Sequence, residues 1–370
     1  MNGDVHQITI EQNHMGTTFE LTVSGPKSSL EKNETALLLA HEIISQLENE
    51  LSEFKTESEV NRFNSIKAQI PIKLKETTSR LLSIALKLEK ITSGAYSPFT
   101  KSPKNIFLEP DRGVDFLSNG EIVKSHSDIY LEFGAIGKGY ALDIISEYFL
   151  RSGIRNFCLS GGGSSIVVSG KATQSTYWPL AWSWSKDQDG CPLGVEMQYE
   201  NEEPIALGIS GFHEKGQHIK LKRPNSILSA LVAHPNAALA DALSTAVISS
   251  GWTDEMESLS TITDTAPGVA VIEDDHVPRW NSVFQTLIKA PFLISASLIG
   301  LTISSILSRF SLADDGMIDL SSLGVDDFNP YLLERNAAWI LLPVVIIVLI
   351  IVHTKRVKIL RRDRNPEDPT

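Results

Sequence analysis

The sequence predicts an α+β domain followed by two membrane-spanning helices. Three observations carry this. Segments of strand period and helix period alternate irregularly over residues 1–275, with no repeat and no low-complexity tract. Two long uncharged apolar stretches fall in the last quarter of the chain, and the charges flanking them are strongly asymmetric. A chain of 370 residues with 42% apolar content has room for one large domain or two ordinary ones, plus something more.

Taken in order, "ITIEQNHMGTTFELTVSG" predicts two strands about a turn at Met15 and Gly16, because Ile8 and Ile10, then Phe19, Leu21 and Val23, alternate with polar residues. Helices are expected over about 29–52 and 76–92; in the second, Leu81, Ile84, Leu88 and Ile91 recur at helical spacing before Gly94. A third is expected over about 137–152, with Ala141, Ile144, Ile145 and Phe149 facing inward and Gly153 ending it. "RNFCLSGGGSSIVVSG" reads as strand, glycine turn, strand, and "AALADALSTAVISS" as a helix over 237–250 that stops at Gly251.

Composition excludes several classes. A formal charge of −12 argues against a nucleic-acid binder, which would present a basic face. Two cysteines, Cys158 and Cys191, make neither a disulfide framework nor a zinc pattern and point to a reducing compartment. The first residues offer no basic segment followed by an apolar run, so no secretory signal is expected there.

The C-terminal quarter divides into a linker (276–289), a span (290–308), an acidic loop (309–336), a second span (337–353) and a basic tail (354–370). "APFLISASLIGLTISSILS" is uncharged for 19 positions, long enough to cross a bilayer, and "AAWILLPVVIIVLIIV" for 16, at the short limit. Lys355, Arg356, Lys358, Arg361, Arg362 and Arg364 crowd the tail, whereas the loop holds Asp314, Asp315, Asp319, Asp326, Asp327 and Glu334. The bias of basic residues puts the tail inside and the loop outside, and two spans return the chain to its starting side. The expected location is the cytoplasmic membrane, with the large domain on its cytoplasmic face.

"LEFGAIGKGYALDIISEYFL", residues 131–150, sets glycines and a lysine before a helix-like pattern. A Walker-type phosphate loop needs four residues between its first glycine and the Gly-Lys pair, then Ser or Thr; here Gly134 and Gly137 are two residues apart and Gly139 follows Lys138. What survives is glycine-rich backbone entering a helix N-terminus, which favours an anion, beside a neutralising lysine. On these residues alone, a tight turn and a phosphate site stay equally open. Asp241 and Thr245, four apart, would share one helix face and could offer two oxygens to a hard cation, or be a solvated face or cap.

"MGTTFELTV", "LSEFKTESEVNRFN", "TSGAYSPFT", "LEFGAIGKGYALD", "LSGGGSSIVVSG", "GISGFHEKGQHI" and "LADALSTAVISSG" occur in this order and together resemble the ApbE family of FAD:protein FMN transferases over residues 5 to about 275. The resemblance implies an ApbE-type, T-fold-like domain. It implies a Mg²⁺-dependent enzyme that cleaves FAD at its pyrophosphate, joins FMN to a threonine or serine of an acceptor protein, and releases AMP. It assigns the metal to the carbonyl of Ala135 and the side chains of Asp241 and Thr245, FAD contacts to Lys138 and Asp143, and close backbone approach to the turn Gly161, Gly162, Gly163. Met15, Gly16 and Thr17 match the N-terminal motif, and Asn64 closes "SEVNRFN" near the flavin. His218 is the candidate base for the acceptor hydroxyl.

"DALST" at 241–245 also has the form of an acceptor motif, but self-modification is rejected: Thr245 lies within an apolar helix pattern and is already assigned to the metal. Departures from the family pattern are Ser97 and Glu132 where Asp is usual, a short segment over 100–113, and "HIKLKRPNS" after His218. The expected partners are FAD, an acceptor protein such as a membrane redox subunit, and the bilayer. A non-catalytic, membrane-tethered FAD-binding protein, or an interaction module of a membrane redox complex, are the alternative classes.

Overall fold

A computed structural model of the chain describes residues 5–103, 113–173, 175–186, 192–199, 202–212, 219, 221–253, 256, 267–273, 278–287 and 293–294. The chain divides into a unit of residues 1–299 and one of residues 300–370, and the second lies outside the described residues.

The N-terminal hairpin forms as its pattern predicts: β1 (Val5–His14) pairs antiparallel with β2 (Thr17–Pro26), His14 opposite Thr17. Its two-residue turn needs positive φ at both positions, and Met15 (50°) and Gly16 (74°) supply it. Three helices follow, α1 (Leu30–Leu51), α2 (Glu59–Ser65) and α3 (Glu76–Ile91), then the small hairpin β3 (Val114–Phe116) and β4 (Ile122–Lys124). Helix α4 (Gly137–Arg151) leads into β5 (Phe157–Gly161) and β6 (Ser165–Ser169), joined by the expected glycine turn. Strands β7 (Trp178–Lys186), β8 (Pro192–Tyr199), β9 (Ile205–Gly211) and β10 (Ile227–His234) precede α5 (Ala237–Ser250). Strands β11 (Gly268–Glu273) and β12 (Pro278–Trp280), helix α6 (Ser282–Leu287) and strand β13 (Leu293–Ile294) end the described chain.

The main sheet is antiparallel with order β1-β2-β5-β6-β9-β10-β11-β12, and a second sheet has order β13-β8-β7. The centre of the main sheet is buried on both faces, which explains the nearly unbroken burial of β10 and of Ile205–Gly208 in β9, whereas the edge strand β1 is largely exposed. Along β10, Ala230 and Val232 join one core with Leu37 and Ile44 of α1, Ile145 and Phe149 of α4, and Ala246 of α5. The intervening Leu231 and Ala233 join a second core with Trp178, Trp182 and Trp184 of β7. Helix α5 is apolar on almost every face because it fills the space between α4 and the sheet.

Two close approaches fix that helix. A methyl group on Gly139 of α4 would lie 2.2 Å from the carbonyl oxygen of Ala237, and one on Gly208 of β9 would lie 2.1 Å from that of Ala240. Only glycine allows backbone this near to α5 from both sides.

No helix among the described residues is long and apolar enough to cross a membrane. Within the first expected span, Leu293 and Ile294 form β13 and pair with β8 instead of continuing a helix. The rest of 290–308, the acidic loop, the second span at 337–353 and the basic tail lie outside the described residues.

Candidate active site

The N-terminal ends of α4 and α5 meet beside the β5–β6 turn and enclose a cavity of about 640 Å³. Ala135 and Lys138 come from the entry to α4, Gly162 and Gly163 from the turn, and Asp241 and Thr245 from α5; six of the sequence-assigned residues therefore line one space. Gly162 and Gly163 have φ of 65° and 67°, so the turn presents bare backbone to the cavity.

At its centre, Asp241 Oδ2 accepts from Lys138 Nζ at 3.2 Å and from the Gly139 backbone N–H at 3.2 Å. Asp241 is 3% exposed, so its charge is held by the lysine and by the N-terminus of α4 rather than by water. One turn along α5, Thr245 Oγ1 lies 3.2 Å from Ser210 Oγ of β9, which in turn lies 2.8 Å from Ser244 Oγ. Thr245 is half-buried and faces the cavity. The expectation that an apolar helix hides its hydroxyl is corrected: Thr245 sits where α5 crosses the cavity edge.

No cluster of three or more His, Cys, Asp or Glu side chains is gathered as a metal site among the described residues. The assigned set is different in kind: one carboxylate, one hydroxyl and the residue whose carbonyl is the third donor, all hard oxygens on one cavity. Too few to enclose a cation, they suit a magnesium ion that keeps phosphate oxygens and water as its other ligands.

The other assigned residues lie behind this cavity. Asp143 accepts from the backbone N–H groups of Ala237 (2.6 Å) and Ala238 (2.9 Å), so both of its oxygens cap α5. Burial pushes its carboxyl up to about 7, against the opposing pull of those two bonds and of Arg80. Asn64 pairs twice with the backbone of Leu131, accepting at 2.7 Å and donating at 3.0 Å, and so anchors the segment that carries Glu132, Gly134 and Ala135. Lys124, 1% exposed, supports the same segment by donating to the carbonyls of Asn64, Ser127 and Ile129. Met15 and Gly16 form the hairpin turn, and Thr17 packs on Gly162, whose N–H donates to Thr18 O at 2.8 Å. Gly161 packs between the Phe19 ring and Lys138. His218 lies outside the described residues.

Sequence reasoning missed the far wall. Trp182 and Trp184 project from β7, and Trp182 Nε1 donates to Ser229 Oγ at 3.1 Å. Tyr96 also lines the cavity; its hydroxyl and the Trp184 indole N–H are buried without a hydrogen-bond partner among the described residues. Burial, then the nearby Glu89, Glu132 and Asp241, raise the Tyr96 hydroxyl far above its ordinary value, so it stays a donor. The alternation in "WPLAWSWS" gives a strand with one tryptophan-bearing face, a signal that could have nominated it. Ser97 and Glu132, which stand where the family usually has Asp, both line the cavity as well.

The domain has the mixed helix-and-sheet fold of flavin transferases of the ApbE type. It superposes on the flavin transferase ApbE from Vibrio cholerae with a TM-score of 0.64 at 18% identity, covering 77% of this chain and 100% of that one. With the apo flavinyl transferase ApbE of Pseudomonas stutzeri the TM-score is 0.62 at 18% identity, covering 77% and 96%. In sequence it is 20% identical over 196 residues to the FAD:protein FMN transferase of Vibrio cholerae, and 22% identical over 200 residues to that of Haemophilus influenzae. Each match covers 47% of this chain and 58% of the relative, so the chain spans under two thirds of the length of these relatives. The profile of the ApbE family matches residues 15–271, and the chain belongs to that family.

Proposed function

We propose that this chain transfers FMN from FAD to a threonine or serine hydroxyl of an acceptor protein and releases AMP. The observation that carries the reading is the convergence of Ala135, Lys138, Asp241 and Thr245 on one glycine-edged cavity in a member of the ApbE family. The acceptor oxygen forms a bond to the FMN-side phosphorus, the pyrophosphate bond to AMP breaks, and AMP leaves with the bridging oxygen. Such a substitution asks for positioning and charge neutralisation.

Lys138 offers a positive charge to the phosphates, and the Gly162–Gly163 backbone lets them approach. Ala135, Asp241 and Thr245 would hold magnesium, which supplies Lewis-acid stabilisation of the phosphate oxygens when bound. His218 is the proposed acceptor of the hydroxyl proton. The tryptophan wall and Tyr96 give the cavity a flat apolar side suited to a ring system, with donors at its edge.

On the same reading, the chain beyond β13, with its apolar stretches at 295–308 and 337–353, tethers the domain to the cytoplasmic face of the membrane, where a membrane-bound redox subunit would present its acceptor residue. Tethering raises the local concentration of enzyme against such a target. The test is incubation of the full chain with FAD, magnesium and a threonine-bearing acceptor peptide, followed by mass spectrometry. The expected result is a peptide heavier by one FMN and stoichiometric AMP. Retention of intact FAD with no AMP would make the chain a flavin carrier instead.

A further inference from the structure

Asp143 has a second duty that its place in the motif does not suggest. Its two carboxylate oxygens are both taken by the first N–H groups of α5, those of Ala237 and Ala238. Asn236 Oδ1 accepts from Leu239 N–H at 2.9 Å, and the Asn236 carbonyl accepts from Ala240 N–H at 3.1 Å. The N-terminus of α5 is thus fully satisfied, half of it by a side chain from another helix.

The arrangement is reciprocal. Asp241 of α5 accepts the Gly139 N–H in the first turn of α4, while Asp143 of α4 caps the first turn of α5. Gly139 and Asp143 lie one turn apart on α4, and Ala237 and Asp241 one turn apart on α5. Each helix therefore carries a carboxylate that sits at the other's positive end. The absent side chain at Gly139 brings the two backbones into contact between these paired caps.

We infer that Asp143 is a positioning residue for the metal site: by fixing the start of α5 against α4, it holds Asp241 and Thr245 toward the cavity, within reach of a divalent cation and of Lys138. This rests on the flavin transferase reading for what the cation serves. Asp143 itself does not line the cavity, and each of its oxygens already accepts a backbone N–H of α5. Removing it would leave two N–H groups at the start of α5 without their acceptors and free the helix to tilt. One turn away, the carboxylate of Asp241 would shift with it.

The experiment uses the full chain as wild type, Asp143→Asn and Asp143→Ala. Manganese binding is read by electron paramagnetic resonance, and FAD binding without metal by flavin fluorescence. Thermal unfolding selects variants folded at the assay temperature. Asp143→Ala is expected to weaken manganese binding about tenfold and leave metal-free FAD affinity within twofold. Asp143→Asn, with one acceptor oxygen left, is expected to fall between and carries the comparison if the alanine variant does not fold. Weakened metal-free FAD binding with unchanged manganese affinity would make Asp143 a ligand contact and overturn the inference, as would a folded variant in which neither moves. A wild type that binds manganese but releases no AMP would refute the proposed reaction and leave the positioning role standing.

Discussion

Gly139→Ala tests the geometry that joins the two helices. An ideal methyl carbon at this position would lie 2.2 Å from Ala237 O, 2.6 Å from Ala237 C and 2.9 Å from Ala238 N, against an ordinary contact beginning at 3.4 Å. All three atoms are backbone, so no side chain can swing away, and α4 and α5 must separate by roughly 1 Å. Overpacking against three backbone atoms at once falls in the upper part of the usual range, about 2–3 kcal/mol. Alanine's better helix propensity returns at most about 1 kcal/mol, which leaves a net loss of roughly 1–2 kcal/mol. Thermal unfolding should therefore fall by about 2–8 °C. The separation also pulls Asp241 away from Lys138, and misplacement of about 1 Å can lower AMP release on the order of 100-fold. Gly137→Ala is the control on the same helix, because its methyl would meet only Phe133 Cβ, at 3.7 Å. Calorimetry and AMP release on both variants decide the matter. Equal unfolding temperatures and equal rates would mean the contact between α4 and α5 is not what aligns the site.

Asp241→Ala removes the only carboxylate of the proposed metal set; AMP release should fall at least about 100-fold while the chain remains folded by circular dichroism, and unchanged turnover would move the metal elsewhere. Folded Asp143 has a value of about 7 against an ordinary 3.8, so between these the folded state holds a proton that the unfolded state gives up. Stability should rise as pH falls from 7 toward 4, by on the order of 1–4 kcal/mol. Denaturant unfolding across that range should show this slope in the wild type and lose it in Asp143→Asn. Tyr96→Phe deletes a buried hydroxyl that has no partner among the described residues and should raise the unfolding temperature of the ligand-free chain by about 1–4 °C; a lower temperature would mean the hydroxyl is paired.

Local signals in the sequence carried far. The β1–β2 hairpin was legible because Met15 and Gly16 interrupt two alternating runs, and α5 because an apolar stretch ends at Gly251, whose φ is 76°. The Ala135, Lys138, Asp241 and Thr245 constellation was legible through family motifs, which bring together residues about a hundred positions apart. What could not be read was set by contacts without a local pattern. Asp143 was assigned to FAD by the resemblance, through the motif it shares with Lys138; that its oxygens cap a helix 94 positions onward is a fact of packing alone. Asn64 was likewise expected near the flavin, yet it braces Leu131 behind the cavity wall. The tryptophan face of β7 could be recognised as one face of a strand, but not as part of the site, because a period of two does not say what that face meets.

Strands β9 and β10 give alternate residues to two different cores, and this ties the fate of the two together. Losing the helical layer would bare Ala206, Ala230 and Val232, and losing the tryptophan sheet would bare Leu207, Leu231 and Ala233 on the same strands. Neither half can open while the other keeps its full stability, so unfolding should be one cooperative event with the amides of β9 and β10 exchanging last. Ser210 and Ser229, which line the cavity, belong to those strands, whereas its glycine rim belongs to a turn. Hydrogen exchange should accordingly find a floor that opens only with the whole domain beneath a rim free to breathe around each incoming substrate.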